Sequence, residues 1–145
     1  MYGQAALWAR DSGVLIVNNA NVYGKSLIAI NSDTNSILRL ENCNITGKGM
    51  SGYIQEIQKT NEGYNVYFYG YLSSSYVRFP TWTDANGQDD IIWGNGNKST
   101  RYDSTVWYYN VKKSDHNNES GLYNTHIYAE IDGVQTGVGA FQVNV

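Results

Sequence analysis

The chain has 145 residues, a net charge of −3, only 16% charged residues and 1 Pro, set against 15 Gly, 13 Tyr and 4 Trp. This length holds one or two small domains, and the aromatic, Gly-rich balance favours strands over long helices. No Lys/Arg cluster marks a nucleic-acid or anionic-lipid partner, and no stretch approaches the roughly 20 apolar residues of a membrane span.

Met1 to Arg10 lacks the basic region and long apolar stretch of a secretory signal. The chain therefore reads as an excised fragment, an internal-start product or a product released without such a signal. A repeat follows. Residues 13–24, GVLIVNNANVYG, and residues 36–47, SILRLENCNITG, share one plan. At an offset of 23, Val14 aligns with Ile37, Val17 with Leu40, Asn19 with Asn42, Ala20 with Cys43 and Asn21 with Asn44. Upstream, Ala6 to Ala9 aligns with Leu27 to Ile30 at an offset of 21, and Met1-Tyr2-Gly3 with Val22-Tyr23-Gly24.

Such a period predicts two terminal coils of a right-handed parallel β-helix over residues 1–48, with like side chains stacked about 4.8 Å apart. Asn19 over Asn42 and Asn21 over Asn44 are expected as amide ladders at a corner. The lone Cys43 has no internal disulfide partner and, aligned with Ala20, reads as a small buried hydrophobe. Two coils bury too little to stand alone, so association with identical chains, as a homotrimer, would supply the cover.

After residue 48 the pattern changes. Strands are expected at Tyr53 to Lys59, Tyr64 to Leu72, Tyr76 to Thr83, Asp90 to Trp93, Thr105 to Val111, Tyr123 to Ile131 and Gln135 to Val145. The turn signals between them include Asn61-Glu62-Gly63, Ala85-Asn86-Gly87 and Asp132-Gly133. This spacing predicts an immunoglobulin-like β-sandwich over residues 49–145, so the whole chain is all-β. Glu119-Ser120-Gly121-Leu122-Tyr123 resembles a tyrosine corner, with Tyr123, Thr125 and Ile127 facing the core and Asn124, His126 and Tyr128 facing away. Phe79-Pro80 is expected at an edge or bulge, because proline cannot donate to a ladder.

Residue chemistry gives little support to catalysis. Two His are too few for a His-rich metal site, and HExxH, CxxC and GxSxG spacings are absent. Asp89 and Asp90 are adjacent on an extended segment and point to opposite faces, which is a poor start for a Ca²⁺ site. Asp11, Asp33 and Glu41 lie on or beside the coils without forming a recognisable carboxylate pair. No cofactor, metal or catalytic residue is expected. Carbohydrate binding suits the composition better, since sugars offer apolar ring faces to flat aromatic side chains and hydroxyls to polar neighbours. Trp82 and Trp93, flanking the loop from Thr83 to Ile92, are the leading platform, with Asp89, Asp90, Tyr102 and His116 as further ligand-binding candidates. Trp107, Tyr108 and Tyr109 divide between core and surface by alternation.

Pro80-Thr81-Trp82, Gln88-Asp89-Asp90 with Trp93, His116 with Gly121 and Tyr123, His126 with Tyr128, and the region of Val138-Gly139 together carry a family likeness. Over roughly residues 50–145 the chain resembles the Bsp-like repeat of group B streptococcal surface proteins and phage lysins. The preceding segment resembles the end of a phage tailspike β-helix. The two resemblances imply the C-terminal tip of a phage tail fibre, tailspike or appendage protein, located in the virion and binding host cell-wall polysaccharide or peptidoglycan from outside the cell. The alternative is a wall-targeting module of a peptidoglycan hydrolase or Gram-positive surface protein. A third reading makes the chain part of a polysaccharide depolymerase.

Overall fold

The computed structural model describes residues 7–9, 11–23, 30–32, 36–46 and 50–145. They form β1 (Leu7–Ala9), β2 (Val14–Asn18), β3 (Asn21–Tyr23), β4 (Ile30–Ser32), β5 (Ile37–Glu41), β6 (Asn44–Thr46), β7 (Met50–Gly52) and β8 (Ile54–Thr60). β9 (Gly63–Tyr69), β10 (Val77–Thr83), β11 (Ile92–Asn95), β12 (Asn97–Arg101), β13 (Ser104–Lys112), β14 (Leu122–Ile131) and β15 (Val134–Asn144) follow, with one 3-10 turn at Lys113–Asp115. The fold is all-β. Two compact units share the chain: Met1–Gln58 with Val66–Leu72 and Lys98–Trp107, and Lys59–Asn65 with Ser73–Asn97 and Tyr108–Val145. Each unit gathers three segments of the chain.

In the first unit, parallel pairing repeats. Leu7 lies opposite Ile30, Val14 opposite Ile37 and Asn21 opposite Asn44, so β1–β4, β2–β5 and β3–β6 all keep an offset of 23. The expected offset of 21 at Leu7 is corrected. A slip of two residues keeps every inward side chain inward, so hydrophobic pattern alone does not distinguish 21 from 23. The alignments expected for residues 1–6 and 24–29 lie outside the described residues. Parallel pairing also continues into a third set of strands, Ile30 with Met50 and Leu38 with Ile54, where the offsets shrink to 20 and 16 and the likeness in sequence is lost.

The repeated asparagines recur for two different reasons. Asn44 Nδ2 donates to Asn21 Oδ1 at 3.1 Å, the expected amide ladder. Asn19 and Asn42 instead turn the backbone through the left-handed region, with φ of 52° and 51°, which Asn tolerates better than most residues. Their N–H groups donate to Glu41 O and Ile57 O, each at 2.8 Å. Beneath these corners, Leu38, Leu40 and Ile54 are fully buried. Cys43 joins the same cluster as a buried free thiol whose Sγ lies 3.3 Å from Val17 O.

A six-stranded sheet in the order β12-β13-β9-β8-β5-β2 carries the one deeply buried carboxylate of this cluster of strands, Glu56. Arg101 grips it through two bonds of 2.8 and 2.7 Å, and Tyr69 donates its hydroxyl at 2.8 Å. The Arg101 guanidinium also lies 4.0 Å from the Tyr67 ring centroid. β12 was not among the expected strands, because Asn-Lys-Ser-Thr-Arg has no apolar alternation and is an exposed terminal strand of its sheet.

In the second unit, β11-β10-β14-β15 form an antiparallel sheet. One face is covered by residues of β9 and β13. Tyr64 reaches in from β9, its hydroxyl 2.7 Å from Thr125 Oγ1, which lies 2.9 Å from Thr81 Oγ1. The Tyr64 ring meets Tyr123 and Phe141 edge-on at 6.0 and 6.3 Å. From β13, Tyr109 stacks on Phe79 at 5.6 Å and 5°. Tyr123, Thr125 and Ile127 face this core as expected, and the tyrosine corner closes with the Tyr123 hydroxyl donating to Glu119 O at 2.7 Å. Pro80 departs from expectation: it sits in an interior strand, between β11 and β14. The β10–β14 pairing accommodates it by passing from Arg78↔Tyr128 to Thr81↔Thr125, without paired positions at Phe79 and Pro80.

Two predictions follow from these contacts. A Cβ at Gly94 would lie 2.0 Å from Tyr109 Cζ, so Gly94→Ala displaces the ring from Phe79. A loss of about 1–3 kcal/mol is expected in urea unfolding, with an unchanged m-value. Burial raises the pKa of Tyr64 and of Tyr69 above the ordinary phenol value. Both keep their protons when folded, whereas the unfolded chain loses them above pH about 10. Stability from these groups is therefore complete below pH 10 and falls above it by about 1.4 kcal/mol per pH unit per tyrosine. Tyr64→Phe should flatten this alkaline slope in urea titrations between pH 9 and about 11.5. An unchanged slope would show that Tyr64 does not resist ionisation in the folded state.

Candidate functional site

Once Tyr123, Thr125 and Ile127 are committed to the core, their neighbours in β14 must lie on the opposite face of the sheet. Register extends this rule across the other strands. Asn124 pairs with Trp82 and Gln142, Tyr128 with Arg78, and Pro80 with Trp93. The outer face thus collects a band of rings. Trp82 meets His126 edge-on at 4.8 Å, His126 lies 6.4 Å from Tyr128, and Tyr128 lies 5.3 Å from Trp93. Trp93 is 44% exposed, the other three are half-buried, and Pro80 is buried within the band's span. On β15, Ala140 pairs with His126 and Gly137 with Tyr128, so the neighbouring strand sets small residues beside these two rings.

Polar groups close both ends of the band. Beside Trp82, Asn124 Nδ2 donates to Asp84 Oδ1 at 2.5 Å and Gln142 Nε2 donates to Asn124 Oδ1 at 2.9 Å. At the far end, Arg78 and the Tyr76 hydroxyl each lie 3.4 Å from Gln135 Oε1, and the guanidinium lies 4.7 Å from the Tyr76 ring. Glu130 is nearby, its carboxyl held below the usual range by hydrogen bonds from the Ser75 hydroxyl and the Gly133 N–H. An apolar strip between hydrogen-bonding ends can stack on a sugar ring and bond its hydroxyls.

A family model, the GBS Bsp-like repeat, matches residues 53–143. The chain belongs to this family. The Bsp-like match begins one residue before β8 and includes every residue of the aromatic band and its polar ends, whereas β1 to β7 lie outside it. No curated protein matches the chain.

Within the Bsp-like repeat, the residues expected at the site are dispersed. Trp82 and Trp93 both belong to the outer face, joined through His126 and Tyr128. Asp89 is exposed in the loop between β10 and β11. Asp90 and His116 are turned inward, their side chains 3% and 1% exposed and 3.0 Å apart. Asp90 also accepts from Thr83 N and Thr83 Oγ1 at 3.1 Å each, and Thr83 Oγ1 bonds Glu119. This network pins the loop from Asp84 to Ile91 against the tyrosine corner, with the His116 ring 5.4 Å from Tyr123. Tyr102 belongs to the other compact unit, in the β12–β13 turn, where its hydroxyl accepts from Arg101 at 3.1 Å.

Trp107 is 4% exposed, with Nε1 donating to Tyr71 O at 3.2 Å, and Tyr109 is half-buried on Phe79. Among the described residues, no group of three or more His, Cys, Asp or Glu could hold a metal ion, and no helix is long and apolar enough to cross a membrane. Asp33 lies outside the described residues. Asp84, Asn124, His126, Tyr128 and Gln142 were not among the expected site residues. Alternation had already placed Tyr128 beside Asn124 and His126, and carrying it across to β10 and β15 would have added Asp84 and Gln142.

Proposed function

We propose that the chain is a surface- or wall-associated module that binds glycan through the outer face of the β11-β10-β14-β15 sheet. The observation that carries this reading is the continuous band Trp82, His126, Tyr128 and Trp93 on the outer face of the sheet, with Trp93 44% exposed and ordered polar side chains at both ends. Membership of the Bsp-like repeat family supports wall association. The absence of a recognisable acid/base constellation among the described residues suits binding without catalysis.

In its finer form, the proposal assigns the 23-residue parallel ladders to the end of a parallel β-helix and the second unit to an immunoglobulin-like sandwich. Together they would form the tip of a phage tail fibre, tailspike or appendage, acting outside the host on its wall. Exposed Val14, Ile16 and Ile37 on the ladder are compatible with packing in a trimer, where avidity would multiply weak sugar contacts. A wall-targeting module of a peptidoglycan hydrolase or surface protein would use the same face as a monomer. Light scattering separates the two, with a mass near three chains for the tip and near one chain for the module.

Binding itself is tested by retention on purified Gram-positive cell walls. Trp82→Ala and Trp93→Ala should each weaken binding roughly ten-fold, the effect of about 1–1.5 kcal/mol per lost ring contact. Both variants should remain folded, because the rings lie outside the Tyr64 core. Undiminished retention by a folded double variant would overturn the glycan-binding reading.

A further inference from the structure

The two ends of the outer face differ in chemistry, and the Trp82 end is ordered by a single constraint. A carboxylate has no proton to donate, so Asp84 obliges Asn124 to turn its NH2 group toward it. The bond measures 2.5 Å, and Asn124 is 8% exposed. The Asn124 oxygen must then face Gln142, whose Nε2 donates to it at 2.9 Å. That choice leaves Gln142 Oε1 directed away from Asn124. Asp84 and Gln142 are both exposed, and Asn124 between them is the cross-strand partner of Trp82. Two hydrogen-bond acceptors, held in place by a buried amide, thus border one side of an aromatic ring.

We propose that this row is a subsite for one ring of a neutral polysaccharide that carries free adjacent hydroxyls. Trp82 lies under the ring's apolar face, and Asp84 and Gln142 accept its hydroxyl protons. The inference rests on the glycan-binding reading and narrows it to one ligand class. The Asp84 carboxylate disfavours phosphate-bearing and uronic-acid polymers at this end. Arg78, the cation of the outer face, lies at the opposite end and is engaged with Gln135 and the Tyr76 ring. Peptidoglycan strands fit poorly as well. Their hexosamine rings replace hydroxyls with N-acetyl, ether and glycosidic groups, so two adjacent free hydroxyls do not occur. Asp84 and Gln142 are therefore specificity-determining residues, and Asn124 positions them.

The test uses the intact chain on purified Gram-positive cell walls before and after mild periodate oxidation, which cleaves vicinal diols and so, among sugar rings, opens those with adjacent free hydroxyls. Retention of the native protein should fall at least ten-fold on oxidised walls. On untreated walls, Asp84→Ala and Gln142→Ala should each lower it several-fold. Gln142 is exposed, so its variant serves if Asp84→Ala fails to fold. Two results would overturn the subsite while leaving the glycan reading intact: retention that survives periodate but is lost in Trp82→Ala, or periodate sensitivity with both acceptor variants binding normally. If the folded Trp82→Ala, Trp93→Ala double variant is also retained, the glycan reading fails and the subsite with it.

Discussion

The hydroxyl of Tyr64, buried between β-strands and 2.7 Å from Thr125 Oγ1, is the contact on which the outer face depends. Thr125 in turn meets Thr81, so three hydroxyls are satisfied by one another where water does not reach. A one-residue slip of β14 would replace Thr125 with Asn124 or His126 at that point. It would strand the Tyr64 hydroxyl and bring His126 and Tyr128 into the core. Register in the core and composition of the outer face are thus one decision. The aromatic band lies on the outer face because the threonines opposite it are buried.

The same economy governs the loop beside the band. Asp90 and His116 have the residue types of a catalytic or metal site, yet their bonds to each other and to Thr83 are used internally. They hold the β10–β11 connection in place, and with it Asp84 at the end of the band. Function in this reading belongs to side chains with unused hydrogen-bonding capacity, and rigidity to those whose capacity is spent.

Much of the fold was legible in the sequence because it rests on short-range periodicity. The 23-residue repeat, the inward trio of Tyr123, Thr125 and Ile127, and the tyrosine corner all follow from local pattern. Three features were not legible. β12 is polar throughout and belongs to a sheet by position rather than by hydrophobic alternation. The third set of parallel strands uses contracted offsets, so Met50 and Ile54 have no visible counterparts upstream. Pro80 read as a residue of an edge or a bulge, whereas the ladder to β14 passes over it without a change of register and keeps the strand interior.

The site was half legible for a related reason. Trp82 and Trp93 were recognisable by type, but what joins them is His126 and Tyr128 on a strand some thirty residues later, a relation only cross-strand register supplies. Its most direct test is tryptophan fluorescence of the native protein, titrated with solubilised neutral wall polysaccharide. The account predicts a saturable emission change that is lost in Trp82→Phe with Trp93→Phe, since of the four tryptophans only these two lie on the outer face, Trp8 belonging to β1 of the other unit and Trp107 being 4% exposed. Saturable binding by another measure with no change in tryptophan emission would contradict it.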